Sequence, residues 1–470
     1  MSFVSTAFAI FAGAFFLLFF LTPGRLRLWT LLGGSYVFCA FFSPWFLVVL
    51  LASTAVNALL LRAMALRPDR SRGLMIAGVV GNVALLGVFK YLNFLRASYA
   101  GALTLFGLPT SYEALELLGP IGISFYTFQA ISLLVDVNRR TLPPPKLFEV
   151  ALLLGFWPKL IAGPIVRGTR LIPQMQAPRR FRWSNFWLGA EMVVYGLALK
   201  TMLADYLAPE VNKVYNSPAS YAPADNLVAA FLYTFQIYGD FAGYSLMAIG
   251  FARVLGFSIG PNFRRPNFAR SFSDFWQRWH ISLSQFLGNY VYRSLPYKGP
   301  REFVRSRNTL ITMLVSGLWH GPAWTFVAWG GMHGALLIIG REVTRWTAPL
   351  YRGRRWLSLA SWPAQVLAVF TLVAVTRVFF RSGSIGEAWD IMERIAAGPI
   401  RLGDVQNKLA VLVSLAIVAG VTACEAVVEF GGWTRLKRRR AVRVGWALLV
   451  LLVTLVLGEF EGGQFVYVRF

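Results

Sequence analysis

His280, His320 and His333 are the chain's only histidines, and all three fall between residues 271 and 334 of a 470-residue sequence. Imidazole is the side chain whose ordinary pKa suits proton transfer near neutrality. Three histidines also invite a metal ion. Their separations of 40 and 13 residues fit no i,i+4 ligand pair, however, and no cysteine or acidic residue stands at ligand spacing, so no metal site is expected. A Gly-x-Ser-x-Gly elbow, a P-loop and a strand-borne dinucleotide fingerprint are missing as well. What remains is histidine acting as general base or as nucleophile.

The elements that must position these rings are membrane helices. The sequence is 56% hydrophobic and 14% charged, with a mean hydropathy of +0.56. A soluble chain carries about a quarter charged residues. Apolar runs recur at 3–22, 28–42, 45–62, 73–95, 119–138, 184–206, 225–255, 306–320, 322–345, 361–380, 406–430 and 444–460. Most are long enough to cross a bilayer core of about 30 Å as helices, and lipid tolerates no irregular backbone facing it. The expected fold is all-α and polytopic, one membrane domain over 1–470 with about 11–12 transmembrane helices. The first run lacks a basic leader and a small-residue cleavage site and reads as a retained helix. Cys39 and Cys424 both sit in apolar segments, which argues against a disulfide framework.

The formal net charge of +25 is read as loop charge meeting anionic lipid, not as a nucleic-acid surface, because no soluble basic domain is present. Basic loops at 25–27, 62–72, 139–146, 167–182, 264–270, 293–307, 341–355 and 435–443 alternate with near-neutral ones at 97–118, 207–224 and 381–405. The basic set is therefore expected at the cytoplasmic face and both termini outside. One segment breaks the alternation. Residues 147–165 lie between two basic loops and contain Trp157-Pro158 and Gly163-Pro164, which predicts a re-entrant or broken helix enclosed by protein. The run 306–320 is short, about 15 residues, and ends at Gly321-Pro322.

Each histidine has its own setting. Ser271 and Asp274 form a capping pattern, and Phe275, Trp279, Phe286 and Tyr290 can share one face of a following amphipathic helix, with Arg278 four residues after Asp274. His280 lies on that helix four residues before Ser284; taken alone, it reads more readily as an interfacial hydrogen-bonding residue. His320 follows Trp319 and precedes a helix-ending Gly-Pro at membrane depth, where an ionisable side chain suggests function. His333, in WGGMHG, reads as a packing and hydrogen-bonding residue among glycines that let helices approach closely. Gln129, Asp136, Asn138, Lys159, Gln236, Asp240 and Arg377 are further polar groups inside apolar runs, costly unless paired or wetted.

Several ordered stretches resemble the membrane-bound O-acyltransferase superfamily, and within it the bacterial alginate O-acetyltransferase branch, which is related to the teichoic-acid D-alanyl transferases. They are PIGISFYTFQAISLLVDVNR (120–139), FWPKLIAGPIVR (156–167), YTFQIYGDFAGYSLMAIG (233–250), PNFRRPNFARSFSDFWQRWHISLSQFL (261–287), SGLWHGPAWTFVAWGGMHG (316–334) and the terminal GGQFVYVRF (462–470). The core of the likeness is 261–334, where Arg-Trp-His and Trp-His-Gly stand in order. The resemblance implies helices around a central tunnel, with His320 as the main catalytic residue and His280 as the second. Trp319, Trp279, Arg278, Asp274, Ser284, Asp240 and His333 are candidates for the tunnel lining. It also implies a multi-pass protein of the bacterial inner membrane that moves a short acyl group to an outer acceptor such as alginate. No cofactor would be bound. The donor would be acetyl-CoA at the cytoplasmic side, its phosphates meeting Arg278, Arg264 and Arg265, and a periplasmic SGNH-type protein would be the partner that relays the group to polysaccharide. D-alanyl or other acyl transfer to teichoic acid, cellulose or peptidoglycan, and a non-catalytic export scaffold, stay open as alternatives. The chain departs from the family pattern at Gln285–Asn289 and Leu295–Gly299.

Overall fold

A computed structural model describes residues 2–110, 112–177, 181–432 and 440–460, without the side chains of 355, 402 and 440. The terminal stretch 462–470, Arg179 and Arg180, and the basic run 435–439 lie outside the described residues. Among the described residues there is no strand. They pack as two compact units, one from Met1–Gly189 with Ala248–Gly260 and the other from Ala190–Met247 with Pro261–Phe470.

The first unit holds α1 (Thr6–Leu21), α2 (Arg27–Ala40), α3 (Pro44–Leu66), α4 (Ser71–Leu86), α5 (Leu92–Leu105), α6 (Ile123–Asn138), α7 (Leu147–Gly155), α8 (Trp157–Leu160), α9 (Gly168–Met175) and the start of α10 (Trp183–Ala198). Its centre is the segment that broke the charge alternation. Residues 149–166 are all buried, and the helix breaks at Phe156 (φ −50°, ψ 102°), one residue before Trp157-Pro158. Proline cannot donate the hydrogen bond that would continue α7, yet it fits the first turn of a new helix. The break therefore falls where the sequence placed it. Trp157 fills the centre, with Phe3, Phe8, Phe11, Phe15, Phe38 and Phe251 around its indole at centroid distances of 5.4–6.3 Å. Lys159 Nζ donates to Gln129 Oε1 at 2.5 Å, and Asp136 pairs with Arg167 at 3.1 Å.

The second unit holds the rest of α10, a π-helical run at Leu199–Asp205, α11 (Tyr206–Asn216), most of α12 (Pro223–Val254), α13 (Phe272–Arg278), α14 (Ile281–Phe286), α15 (Arg301–His320), α16 (Trp324–Tyr351), α17 (Arg355–Ala360), α18 (Trp362–Arg381), α19 (Ile385–Ala397), α20 (Lys408–Glu429) and α21 (Arg440–Leu457). Five helical runs among the described residues are long and apolar enough to cross a membrane: Pro44–Leu66, Pro68–Leu105, Trp183–Asn216, Trp362–Arg381 and Lys408–Glu429. Other expected spans are helical at the expected places but shorter, such as α1 and α6, or carry polar residues, as α12 carries Asp225, Gln236 and Asp240. Cys39 is buried and Cys424 exposed, and both are free.

Two expectations need correction. The run ending at His320 is not a 15-residue stub: α15 has 20 residues, because Arg301–Asn308 join the helix ahead of the apolar part. At about 1.5 Å per residue it reaches roughly 30 Å. The amphipathic helix expected beyond Ser271 is also not continuous. It stops at Arg278; Trp279 is extended, and His280 takes a left-handed conformation (φ 43°, ψ 53°) before α14 begins.

Candidate active site

Local chemistry sets α13. Ser271 Oγ accepts from the Asp274 amide at 3.1 Å, the expected N-cap. Asp274 Oδ2 reaches back to the Arg270 amide at 3.0 Å, one residue short of the cap itself. A non-local strand-like contact then ends the helix. The Arg264 amide donates to the Arg278 carbonyl and the Ile281 amide to the Asn262 carbonyl, both at 2.9 Å. This pins loop 261–265 alongside 278–282. A left-handed residue other than glycine costs about 1–2 kcal/mol, so the surrounding bonds hold His280 in a conformation it would not choose. Such outliers concentrate at functional sites.

Glycine decides the second histidine's place. α15 and α16 form a tight hairpin: a Cβ on Gly317 would stand 2.2 Å from the Phe326 carbonyl oxygen, and one on Gly330 would stand 2.4 Å from that of Met313. Only glycine allows that approach. α15 therefore ends at His320 with its last turn against α16, and the glycines of WGGMHG serve close packing, as their pattern implied.

The three histidines meet. His280 and His320 lie with ring centroids 6.3 Å apart. Rings that lie 40 residues apart in sequence belong to one buried aromatic cluster. Trp319 stands 5.6 Å from His280 and Phe241 packs edge-on at 4.6 Å. His320 touches Trp329 at 5.0 Å and Phe380 at 5.3 Å, and Trp329 continues to His333 at 4.5 Å. Exposure is 0% for His280, 2% for His320 and 1% for His333. Desolvation pushes His280 down to about 3 from its usual 6.5, so the ring is neutral at pH 7.

Other sequence candidates divide in two groups. Trp279 belongs to the aromatic cluster: it stacks on Phe275 at 5.8 Å, and the Arg377 guanidinium lies 4.5 Å over its face. Arg377 also donates to the Thr234 carbonyl at 2.7 Å. Trp279, His333 and Arg377 line a cavity of about 10 Å³ together with Trp329 and Phe380, room for about one water. Asp274, Arg278, Ser284 and Asp240 have other engagements. Arg278 pairs with Asp274 at 2.7 Å and with Glu429 at 2.8 Å, and Arg265 pairs with the same Glu429 at 2.6 Å. Of the three arginines expected to meet donor phosphates, Arg264 is exposed and Arg278 and Arg265 are held by carboxylates. Ser284 Oγ donates to the His280 carbonyl at 3.3 Å, supporting backbone only. Asp240 faces Lys200 Nζ at 2.8 Å. No group of three His, Cys, Asp or Glu side chains among the described residues could hold a metal ion.

Sequence reading missed Asn262, Glu429, Lys200 and Phe380. Asn262 bonds His280 Nδ1 at 3.2 Å. Nothing in a lone asparagine between Pro261 and Phe263 signals this contact, which depends on two loops lying side by side.

The sequence pattern of the membrane-bound O-acyltransferase family matches residues 89–380, more than half of the chain. The chain belongs to that family. It is 37% identical to a probable alginate O-acetylase of Azotobacter vinelandii, over 84% of this chain and 77% of that protein. It is 31% identical to a peptidoglycan O-acetyltransferase of Helicobacter pylori, over 78% and 73%. A teichoic acid D-alanyltransferase of Streptococcus thermophilus is 29% identical over 60% of this chain and 72% of its own length. The chain is thus a multi-pass membrane acyltransferase, and the expected family, all-α class and membrane location stand.

Proposed function

We propose that this acyltransferase moves an acetyl group from cytoplasmic acetyl-CoA, through a tunnel between its helices, to the hydroxyl of an extracellular or periplasmic polysaccharide, with His320 as general base and His280 acting at the same point. The observation that carries the reading is the burial of the two rings 6.3 Å apart in one aromatic cluster. The chemistry balances. His320 takes the acceptor hydroxyl proton, the oxygen attacks the thioester carbonyl, the C–S bond breaks, and the imidazolium returns the proton to the leaving thiolate. His320 ends α15, where the negative pole of the helix stabilises the positive charge formed during transfer. Aromatic walls exclude water that would hydrolyse the thioester.

Support for the acceptor class comes from relatives named for O-acetylation of alginate and peptidoglycan. Exposed Arg264 is the residue left to meet donor phosphates, and a periplasmic SGNH-type protein fits as the acceptor-side partner that passes the group on. The basic loops at the donor face and the neutral loops at the acceptor face fit this direction of transfer. His320→Ala at unchanged expression should lower polymer-bound acetate, released by base and measured by NMR, by about 10²–10⁴-fold. Normal acetylation in that variant overturns the reading, and loss of polymer secretion instead of acetylation points to an export scaffold. Label from [14C]acetyl-CoA supplied to inside-out vesicles should appear in acceptor; labelled D-alanine appearing there instead would overturn the acetyl assignment.

A further inference from the structure

Asn262 is fully buried between His280 and Ser245. Its amide orientation is decided by donors that have no choice. The backbone N–H of Ser282 donates to one terminal atom at 3.2 Å, so that atom is the carbonyl oxygen Oδ1. Ser282 Oγ donates to the same oxygen at 2.8 Å, and Nδ2 donates to Ser245 Oγ at 3.0 Å. His280 Nδ1 also lies 3.2 Å from Oδ1. An amide oxygen cannot donate, so Nδ1 must carry the proton. In a neutral ring the other nitrogen then presents a lone pair, and Nε2 is buried with no hydrogen-bond partner.

We infer that Asn262 is a positioning residue for acyl transfer: it holds His280 in the Nδ1–H tautomer, so that the buried Nε2 keeps its lone pair as a ready proton or hydrogen-bond acceptor for the incoming hydroxyl. The inference rests on the acyl-transfer reading above. Backbone bonds make the arrangement stiff. The Asn262 carbonyl accepts from the Ile281 amide at 2.9 Å, so the same residue fixes both the left-handed backbone of His280 and its ring.

The surrounding charges leave this role to Asn262. The titratable group facing His280 is His320 on α15. From α12, the Phe241 ring packs on His280, Asp240 beside it is engaged by Lys200, and Tyr238 is bonded to Glu425 of α20. From α18, Arg377 sits on the face of Trp279. No carboxylate appears among the hydrogen-bond partners of His280 Nδ1, and burial alone accounts for its low basicity.

Asn262→Asp tests this directly, because it puts a carboxylate of the same shape opposite the Nδ1–H. An opposite charge at that distance raises the basicity of the ring by about 1–3 pH units. Since the neutral ring is the working form, the acid limb of the kcat–pH profile should move to higher pH, with KM little changed. The same substitution in a His280→Ala background should leave the limb where it is. Asn262→Leu removes the acceptor and should cut kcat by at most the roughly 10²-fold that loss of the imidazole itself would cost. An Asn262→Asp profile that overlays the parent's, in a protein that elutes normally in detergent, overturns the inference. Should the variant fail to fold, 15N shifts of the His280 ring in the unmodified full-length protein decide it: a protonated Nδ1 supports the assignment and a protonated Nε2 overturns it. His320→Ala separates the two levels. If that variant keeps its activity the acyl-transfer reading fails, whereas if it is dead and Asn262→Asp is silent, only the role of Asn262 fails.

Discussion

The second unit buries two polar clusters that differ in how they are satisfied. Lys200 on the π-helical run bonds Asp205 at 2.6 Å and Asp240 at 2.8 Å, all three side chains at most 4% exposed. Charge there is met by opposite charge. His280, His320 and His333 are just as buried, but their neighbours are chiefly aromatic faces, and two ring nitrogens, His280 Nε2 and His333 Nδ1, have no hydrogen-bond partner. A protein that only needed to fold would gain by satisfying those atoms, since an unmet buried polar group costs about 1–3 kcal/mol. Self-satisfied charge reads as architecture, and the uncommitted Nε2 of His280, on a ring 6.3 Å from that of His320, marks the candidate for chemistry.

The comparison can be broken at either cluster. Below the loss expected at His320, the next largest effect falls on His280. His280→Gln should lower kcat by about 10²-fold, and the His280→Gln/His320→Ala double variant should be no slower than the worse single one, since groups acting as a unit are non-additive. Additive losses in single-turnover assays would separate the two rings into independent roles. Lys200→Met tests the other cluster. It leaves two carboxylates buried without their cation and should destabilise the fold by about 3–5 kcal/mol, read as a lowered Tm in detergent. Asp240→Asn keeps one cation with one carboxylate and should cost clearly less. If the two variants melt alike, the ionic cluster is not a charge balance. The smallest effect is expected at His333, whose Nε2 lies 2.9 Å from Thr376 Oγ1. That hydroxyl donates to the Val373 carbonyl at 2.8 Å, so His333 Nε2 must be the donor. His333→Gln should cost about 1 kcal/mol of stability and less than tenfold in rate. A loss equal to that at His280 would move His333 from support into the reaction.

Short-range features were legible because their causes are local. Trp157-Pro158 stopped a helix, Gly321-Pro322 followed the last residue of α15, and Ser271 capped α13, each through contacts a few residues long. The limits of legibility show at Trp279 and His280. Apolar spacing runs on through 275, 279, 283 and 286 as if one helix continued, but the pairing of loop 261–265 with 278–282 breaks it, and side-chain periodicity does not register a partner in another loop. Glu429 is similar. It holds Arg278 and Arg265 from 151 and 164 residues away, and so turns two expected phosphate contacts into a brace.

The sequence by itself determined that the chain is an α-helical membrane protein, where most helices begin and end, and that its only imidazoles are three histidines between residues 271 and 334, because hydropathy, helix-ending residues and residue identity are properties of short stretches. Only the tertiary structure decided that His280 and His320 lie side by side, that Asp240 belongs to a lysine and not to the histidines, and which nitrogen of His280 is open. Those outcomes depend on distances between residues far apart in the chain, and such distances are set by how helices pack.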